Sequence, residues 1–179
     1  MIGQLGYLKF DMREFQRASM NLLSDKNIRR SRLVVKRTVH DLGIEAAKNA
    51  QRIVADEVSD SGRLAASIGI YNSGYLKQGG TGSSKRDAHF VEMTVGNKYV
   101  VEFGSNVPYA TPIMLGFTMN ERRVVFSTRL GQFITVHPFS FRGVHAYERG
   151  LDQMNSDHML QQKIFEKNMK ILQVGWRIQ

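Results

Sequence analysis

Acid–base chemistry needs two ionisable groups held a few ångströms apart, and one pair of carboxylates in this sequence has suitable placement. Glu92 and Glu102 fall on adjacent β-like runs, Phe90–Val95 and Tyr99–Phe103, where residues on neighbouring strands can face one another. The commoner role of such residues is the solvated side of a sheet, and no Lys or His cluster marks this pair as a nuclease-type metal centre. The five histidines, at 40, 89, 137, 145 and 158, include no pair at the i, i+4 spacing of a helical metal site. Cysteine is absent, which excludes disulfides and thiolate chemistry. There is no Gly-x-Ser-x-Gly elbow. The glycine-rich stretch closes as Gly82-Ser83-Ser84-Lys85-Arg86, whereas a phosphate-cradling loop needs Lys and then Ser or Thr directly after its last glycine. No catalytic residue, cofactor or metal is therefore assigned, and a non-enzyme is expected.

What the charges do offer is anion binding. The formal net charge is +9, and no acidic residue occurs from Lys26 through Val39. Arg29, Arg30, Arg32, Lys36 and Arg37 fill that run and are candidates for contact with DNA or an acidic partner. Positive charge at the start of a helix opposes the macrodipole, at a cost of about 0.3 kcal/mol or more per exposed residue. A polyanion or an acidic protein surface would compensate; a solvated face of good helix formers is the plain alternative. No aromatic residue interleaves with the run, which argues against base stacking.

These residues must be positioned by a chain of 179 residues, enough for one domain with a real core. No apolar run reaches the ~20 residues that span a bilayer, and neither a membrane anchor nor a secretion signal is expected. Met1 to Lys9 reads as a short glycine-bearing lead. Asp11 and Glu14 resemble a capping box opening a helix to about Leu23, with a break at Ser24, Asp25 and Asn27. Residues 1–28 thus form an N-terminal extension and helix. Val35, Val39, Leu42, Ala46, Ala50 and Ile53 make the strongest periodic stripe, predicting a helix from about Arg29 to Val58. Such a helix exceeds what a small domain buries, which leaves length for a neighbouring subunit.

Ser59 to Ile68 then reads as a turn, with Gly62 free to take positive φ, and Ser67 to Tyr71 as a strand. Residues 72–89 are expected to be a flexible Gly/Ser-rich loop that orders only in an assembly. Gly96-Asn97 suits a type II′ hairpin turn between the two β-like runs. Gly104 to Phe117, with two prolines, suggests an edge or structured loop. Val124–Ser127 and Gln132–Val136 form a second expected hairpin, and His137-Pro138-Phe139 is read as the end of the β region. A helix near Ala146 to Met154, a break at Asn155-Ser156-Asp157 and a last helix from His158 to Gln173 follow. Residues 155–179 make a C-terminal helix and tail, in which Trp176 is an apolar anchor for either the body or a neighbour. The expected class is α+β: long N-terminal helices on a small, mostly antiparallel sheet, with C-terminal helices, in a single domain over 1–179.

Three short segments in order resemble the bacteriophage head–tail joining family, also described as tail-completion or neck proteins. The first is Ser59-Asp60-Ser61-Gly62-Arg63-Leu64-Ala65-Ala66-Ser67-Ile68, similar to a Pro-x-Asp-Thr-Gly-x-Leu-x-x-Ser-Ile pattern. The second runs from Asn106 through Tyr109 and Ala110 to Gly116, where Met114-Leu115-Gly116 stands in place of the family's Glu-x-Gly. The third is Pro138-Phe139. The similarity spans about residues 30 to 155. It implies a structural role in a virion made in the host cytoplasm: a homo-oligomeric ring, usually hexameric, between head connector or adaptor and tail-terminator or tail-tube proteins. Genomic DNA would pass through its channel. Lys85, Arg86 and Trp176 are then candidate interface residues. The competing expectation is a basic nucleic-acid-binding protein acting through Lys26 to Arg37. The sequence does not choose whether the basic run faces DNA or protein.

Overall fold

The computed structural model describes residues 6–11, 25–58, 62–70, 85–127 and 130–174, the side chains of 6–11, 25–28, 85 and 171–174 excepted. The long helix is present as α1 (Asp25–Glu57), whose 33 residues span about 50 Å at 1.5 Å per residue. Asp25 and Asn27 lie in its first turns, not in the expected break. Its stripe of Val34, Val35, Val39, Ala46, Ala47, Ala50, Ile53 and Val54 is buried.

Across α1 lies an antiparallel sheet in the order β1-β3-β2, from β1 (Gly6–Asp11), β2 (Ala88–Val95) and β3 (Lys98–Ser105). β1 corrects the reading of Met1–Lys9 as a lead. Its register runs from Gly6 opposite Phe103 to Asp11 opposite Lys98. Strand identity here comes from a partner more than 80 residues away, which no local pattern encodes. Asp11 therefore ends a strand, and the remainder of the helix expected to Leu23 lies outside the described residues. The hairpin between β2 and β3 is as expected. Gly96 has φ +60 and Asn97 does not share the positive sign, which is the type II′ pattern.

After α1 the turn at Gly62, φ +75, leads into a short helix α2 (Arg63–Ser67) and not into the strand expected at Ser67–Tyr71. Ile68 retains only an isolated parallel bridge to His89. The cause is local: the Ser67 hydroxyl donates to the Leu64 carbonyl, closing the chain into a helical turn. Of the loop expected over 72–89, residues 72–84 lie outside the described residues, while Lys85–Asp87 form a 3-10 turn and Ala88 and His89 belong to β2. The structured loop expected over 104–117 instead completes β3 and then forms α3 (Ala110–Leu115). Pro112 is tolerated because it lies in the first turn, where backbone N–H groups have no helical partner.

Next come β4 (Gly116–Met119), β5 (Arg123–Ser127), β6 (Gln132–Val136) and β7 (Phe139–Arg142). β5 and β6 are the expected hairpin. Phe139 does not end the β region but opens β7, which returns to pair with β4. Helices α4 (Ala146–Ser156) and α5 (His158–Val174) complete the chain, with the Asp157 carboxylate accepting from the Leu160 N–H at their junction. The class is α+β. Among the described residues, no helix is long and apolar enough to cross a membrane.

Packing of α1 against α4 depends on one missing side chain. A Cβ on Gly150 would fall 2.8 Å from both the Ala46 carbonyl oxygen and the Ala50 nitrogen. On an exposed helix, Gly→Ala stabilises by about 1 kcal/mol. Here the sign reverses: Gly150→Ala should destabilise by about 1–3 kcal/mol through overpacking, read as a lower midpoint in urea unfolding. An unchanged or raised midpoint would refute the close approach.

Candidate functional site

Two of the three sequence markers meet in space. Leu64 and Ile68 are core residues, and Ser67 is fully buried beneath them. The Ser67 and Ser105 hydroxyls lie 2.5 Å apart, and the Val107 N–H donates to Ser105 Oγ at 3.2 Å. Arg63 grips Asp87 through two bonds of 3.1 Å, and the carboxylate raises the guanidinium pKa above its usual value. Asn106 donates to the Arg86 and Ala88 carbonyls at 3.2 and 3.4 Å, while its own N–H donates to the Asp87 carbonyl at 2.8 Å. Tyr109 is the residue at the N-terminal cap of α3, and Ala110 beside it is buried. Gln51 ties this joint to α1 by donating to the Ile68 carbonyl at 2.6 Å. These groups bind one another, so the joint is structural. Asp60 lies outside the described residues.

Gly116 belongs to a different place, the root of the strands that follow. With φ +83, it sits where a Cβ would come 2.4 Å from the Phe141 carbonyl oxygen. Pro138 is exposed and Phe139 packs edge-on against Phe117, ring centroids 5.4 Å apart, away from the joint.

The carboxylates do not meet. Register sets Glu92 opposite Val101 and Glu102 opposite Val91, which puts the two on opposite faces of the sheet. Glu102 pairs with His89 Nε2 at 2.9 Å. Glu92 accepts from the Tyr99 hydroxyl and is hydrogen-bonded to His40 Nδ1, joining α1 to the sheet. Burial pushes the Glu92 pKa up, but its bonds to Tyr99 and His40 outweigh this and hold it below the usual value. Tyr99 is pushed well above the ordinary tyrosine range by burial and by the bond to Glu92. Among the described residues, no group of three His, Asp or Glu is placed to hold a metal ion.

The basic run divides by helical phase. Arg29, Arg32, Lys36 and Arg37 are exposed, and Arg30 is half-buried. Of these, Arg32 and Lys36 line a cleft of about 190 Å³ together with Thr94, the turn Gly96-Asn97, Lys98 and Tyr99. Lys36 Nζ stands 5.3 Å from the Tyr99 ring centroid. Arg29, Arg30 and Arg37 do not line it. Lys98 escaped the sequence reading, and its only signal was its position beside the predicted turn. Of the expected interface residues, Arg86 is exposed, while the Lys85 side chain and Trp176 lie outside the described residues.

A second surface also escaped. β4–β7 and then β5–β6 form two successive two-stranded ribbons that, among the described residues, join no other sheet. On the outer ribbon, register puts Val124, Phe126, Phe133 and Thr135 on one face and Arg123, Val125, Ser127, Gln132, Ile134 and Val136 on the other. Val124 is 65% exposed, Phe126 53% and Phe133 72%, although the two rings stack edge-on at 5.2 Å. One face is therefore apolar apart from Thr135, and the other carries three apolar residues among Arg123, Ser127 and Gln132. Comparison of the chain with family models, curated proteins and solved structures finds no match to any of them.

The Glu92 network gives a pH dependence of defined sign. Because the folded-state pKa lies below the ordinary 4.5, its stabilisation is complete above 4.5 and is lost as pH falls through the lowered folded value. Melting temperatures from pH 6 to 3 should fall more steeply for the wild type than for Glu92→Gln. Parallel curves would sink the assignment.

Proposed function

We propose that this chain is a structural protein of a bacteriophage neck, assembling as a ring that joins the head connector to the tail and lets DNA pass. Its action is then assembly and not catalysis: a protomer that polymerises on its cognate surface, between connector or adaptor proteins and tail-terminator or tail-tube proteins, and resides in the virion. Three ordered segments between about residues 59 and 139 support the reading by their resemblance to that family.

The observation that carries it is the double ribbon over residues 116–142. An isolated two-stranded ribbon is marginal in water, and one with apolar residues on both faces gains stability only when another surface covers it. A protein that displays such an arm is built for an assembled state. The body meets the same description less strongly: Leu33, Met159 and Phe165 are exposed apolar residues on α1 and α5.

The test is direct. Gold-labelled antibody against this chain should mark the head–tail junction of virions in electron micrographs, and protein released from them should form closed rings. Phe126→Ser with Phe133→Ser should leave the melting temperature of the isolated chain within about 2 °C and abolish ring formation. Label confined to other parts of the particle, or a monomer in both free and virion-derived preparations, would overturn the reading.

A further inference from the structure

We propose that the double ribbon of one copy docks on the α4–α5 corner of the next, with Arg122 and Arg123 set against Glu148 and Asp152. The ribbon is apolar, basic and open at once. Phe117, Phe126, Phe133 and Phe139 are each exposed by 40% or more, and aromatic side chains are the usual anchors of a protein interface. Arg122, Arg123 and Arg142 are exposed on the same arm. Glu121 is the one acid from Gly116 to Arg142, and it reaches Arg123 only at 3.7 Å, with both side chains largely in solvent. An arm of this charge meets repulsion over most of a second copy, since the chain carries a net +9.

One surface of the chain has the opposite character. From Glu148 to Met159 the acids are Glu148, Asp152 and Asp157, and the sole Lys or Arg is Arg149. Arg149 is held by Glu57 of α1 at 2.6 Å, so it neutralises none of the three. Glu148 and Asp152 stand one turn apart on α4 and are both exposed, with the His145 ring 3.4 Å from Glu148. Met159, in the first turn of α5, is 70% exposed and supplies an apolar part of the seat. Lys163, the next cation, lies a further turn along α5. β4 and β5 together rise up to about 30 Å at 3.3 Å per residue, the diameter of a small domain, so the arm spans a neighbour's surface. Arm and corner are different patches of one chain. The contact is therefore heterologous: it repeats head to tail and closes as a ring where the rotation allows. This inference deepens the ring reading above and rests on it, naming the contact from which the ring is built.

The experiment is sedimentation velocity of the full chain over a concentration series at low salt, with charge reversal on each side. Arg122→Glu with Arg123→Glu should weaken self-association about tenfold, and so should Glu148→Arg with Asp152→Arg. An equimolar mixture of the two variants should return to wild-type association, because each variant's arm then meets the opposite charge on the other's corner. A variant that is merely destabilised gives no such rescue. Circular dichroism melts establish that each variant folds, and Arg122→Glu crossed with Asp152→Arg keeps the test available should a double variant fail to fold. Association lost on arginine reversal and not restored by mixing would place the arm on another arm or on a different protein and overturn the proposal. A wild type that stays monomeric at its highest soluble concentration would do the same. Association that appears only with added duplex DNA would assign the arginines to nucleic acid and reject the contact. Antibody label at the head–tail junction, with rings that survive both reversals, would refute this contact and leave the neck reading standing. Rescue on mixing, with label confined elsewhere on the particle, would support the contact and remove the neck reading.

Discussion

Everything in this fold hangs on how closely backbone can approach α1. Where the helix meets the sheet, Gly43 leaves room for Val101, since a Cβ there would lie 2.6 Å from its Cγ1. Where it meets α4, Gly150 rests on the backbone at Ala46 and Ala50. Glycines on α1 and α4 thus let a sheet side chain on one side and a helix backbone on the other seat directly on the 33-residue helix. Interiors are close-packed, so such contacts fix position and angle at once. Phe103, wholly buried and edge-on to Tyr147 at 6.1 Å, then fills the angle between sheet and α4.

The joint around Ser67 holds by different means. Here the chain passes between helix and sheet and must bury polar backbone, and each buried group finds a named partner from a distant segment. Gln51 reaches Ile68, Gly69 donates to Gly104, and Arg63 holds Asp87. A buried hydroxyl or amide left without a partner costs more than its bond contributes, so such a set stands or falls together. The first two sequence markers therefore have a structural explanation that holds whatever the protein does.

Legibility in the sequence followed the range of the interaction. Helices α1, α4 and α5 and both hairpins were readable because periodicity and turn chemistry are local. β1 was missed because its partner β3 lies across the chain, and α3 because Pro112 and its neighbours were read as breakers without regard to first-turn tolerance. β7 was missed for the same reason as β1: Phe139 pairs with Met119 on the far side of a hairpin. For the site, the basic run was visible but not its division, since only the β2–β3 turn decides that Arg32 and Lys36 belong with Lys98. Glu92 and Glu102 looked like a pair because both are on adjacent strands. One step of register was enough to part them.

The arm has a consequence for the protomer before it meets a partner. Two-stranded ribbons present open edges, and unpaired edges template pairing with other chains. Between the inner and outer ribbons stand Asn120-Glu121-Arg122 on one side and His137-Pro138 on the other, which keep each ribbon to four or five residues per strand. Charge and proline at those breaks act as gatekeepers against runaway stacking. The apolar faces that suit the arm for a specific interface are thus carried on strands too short to seed a fibre.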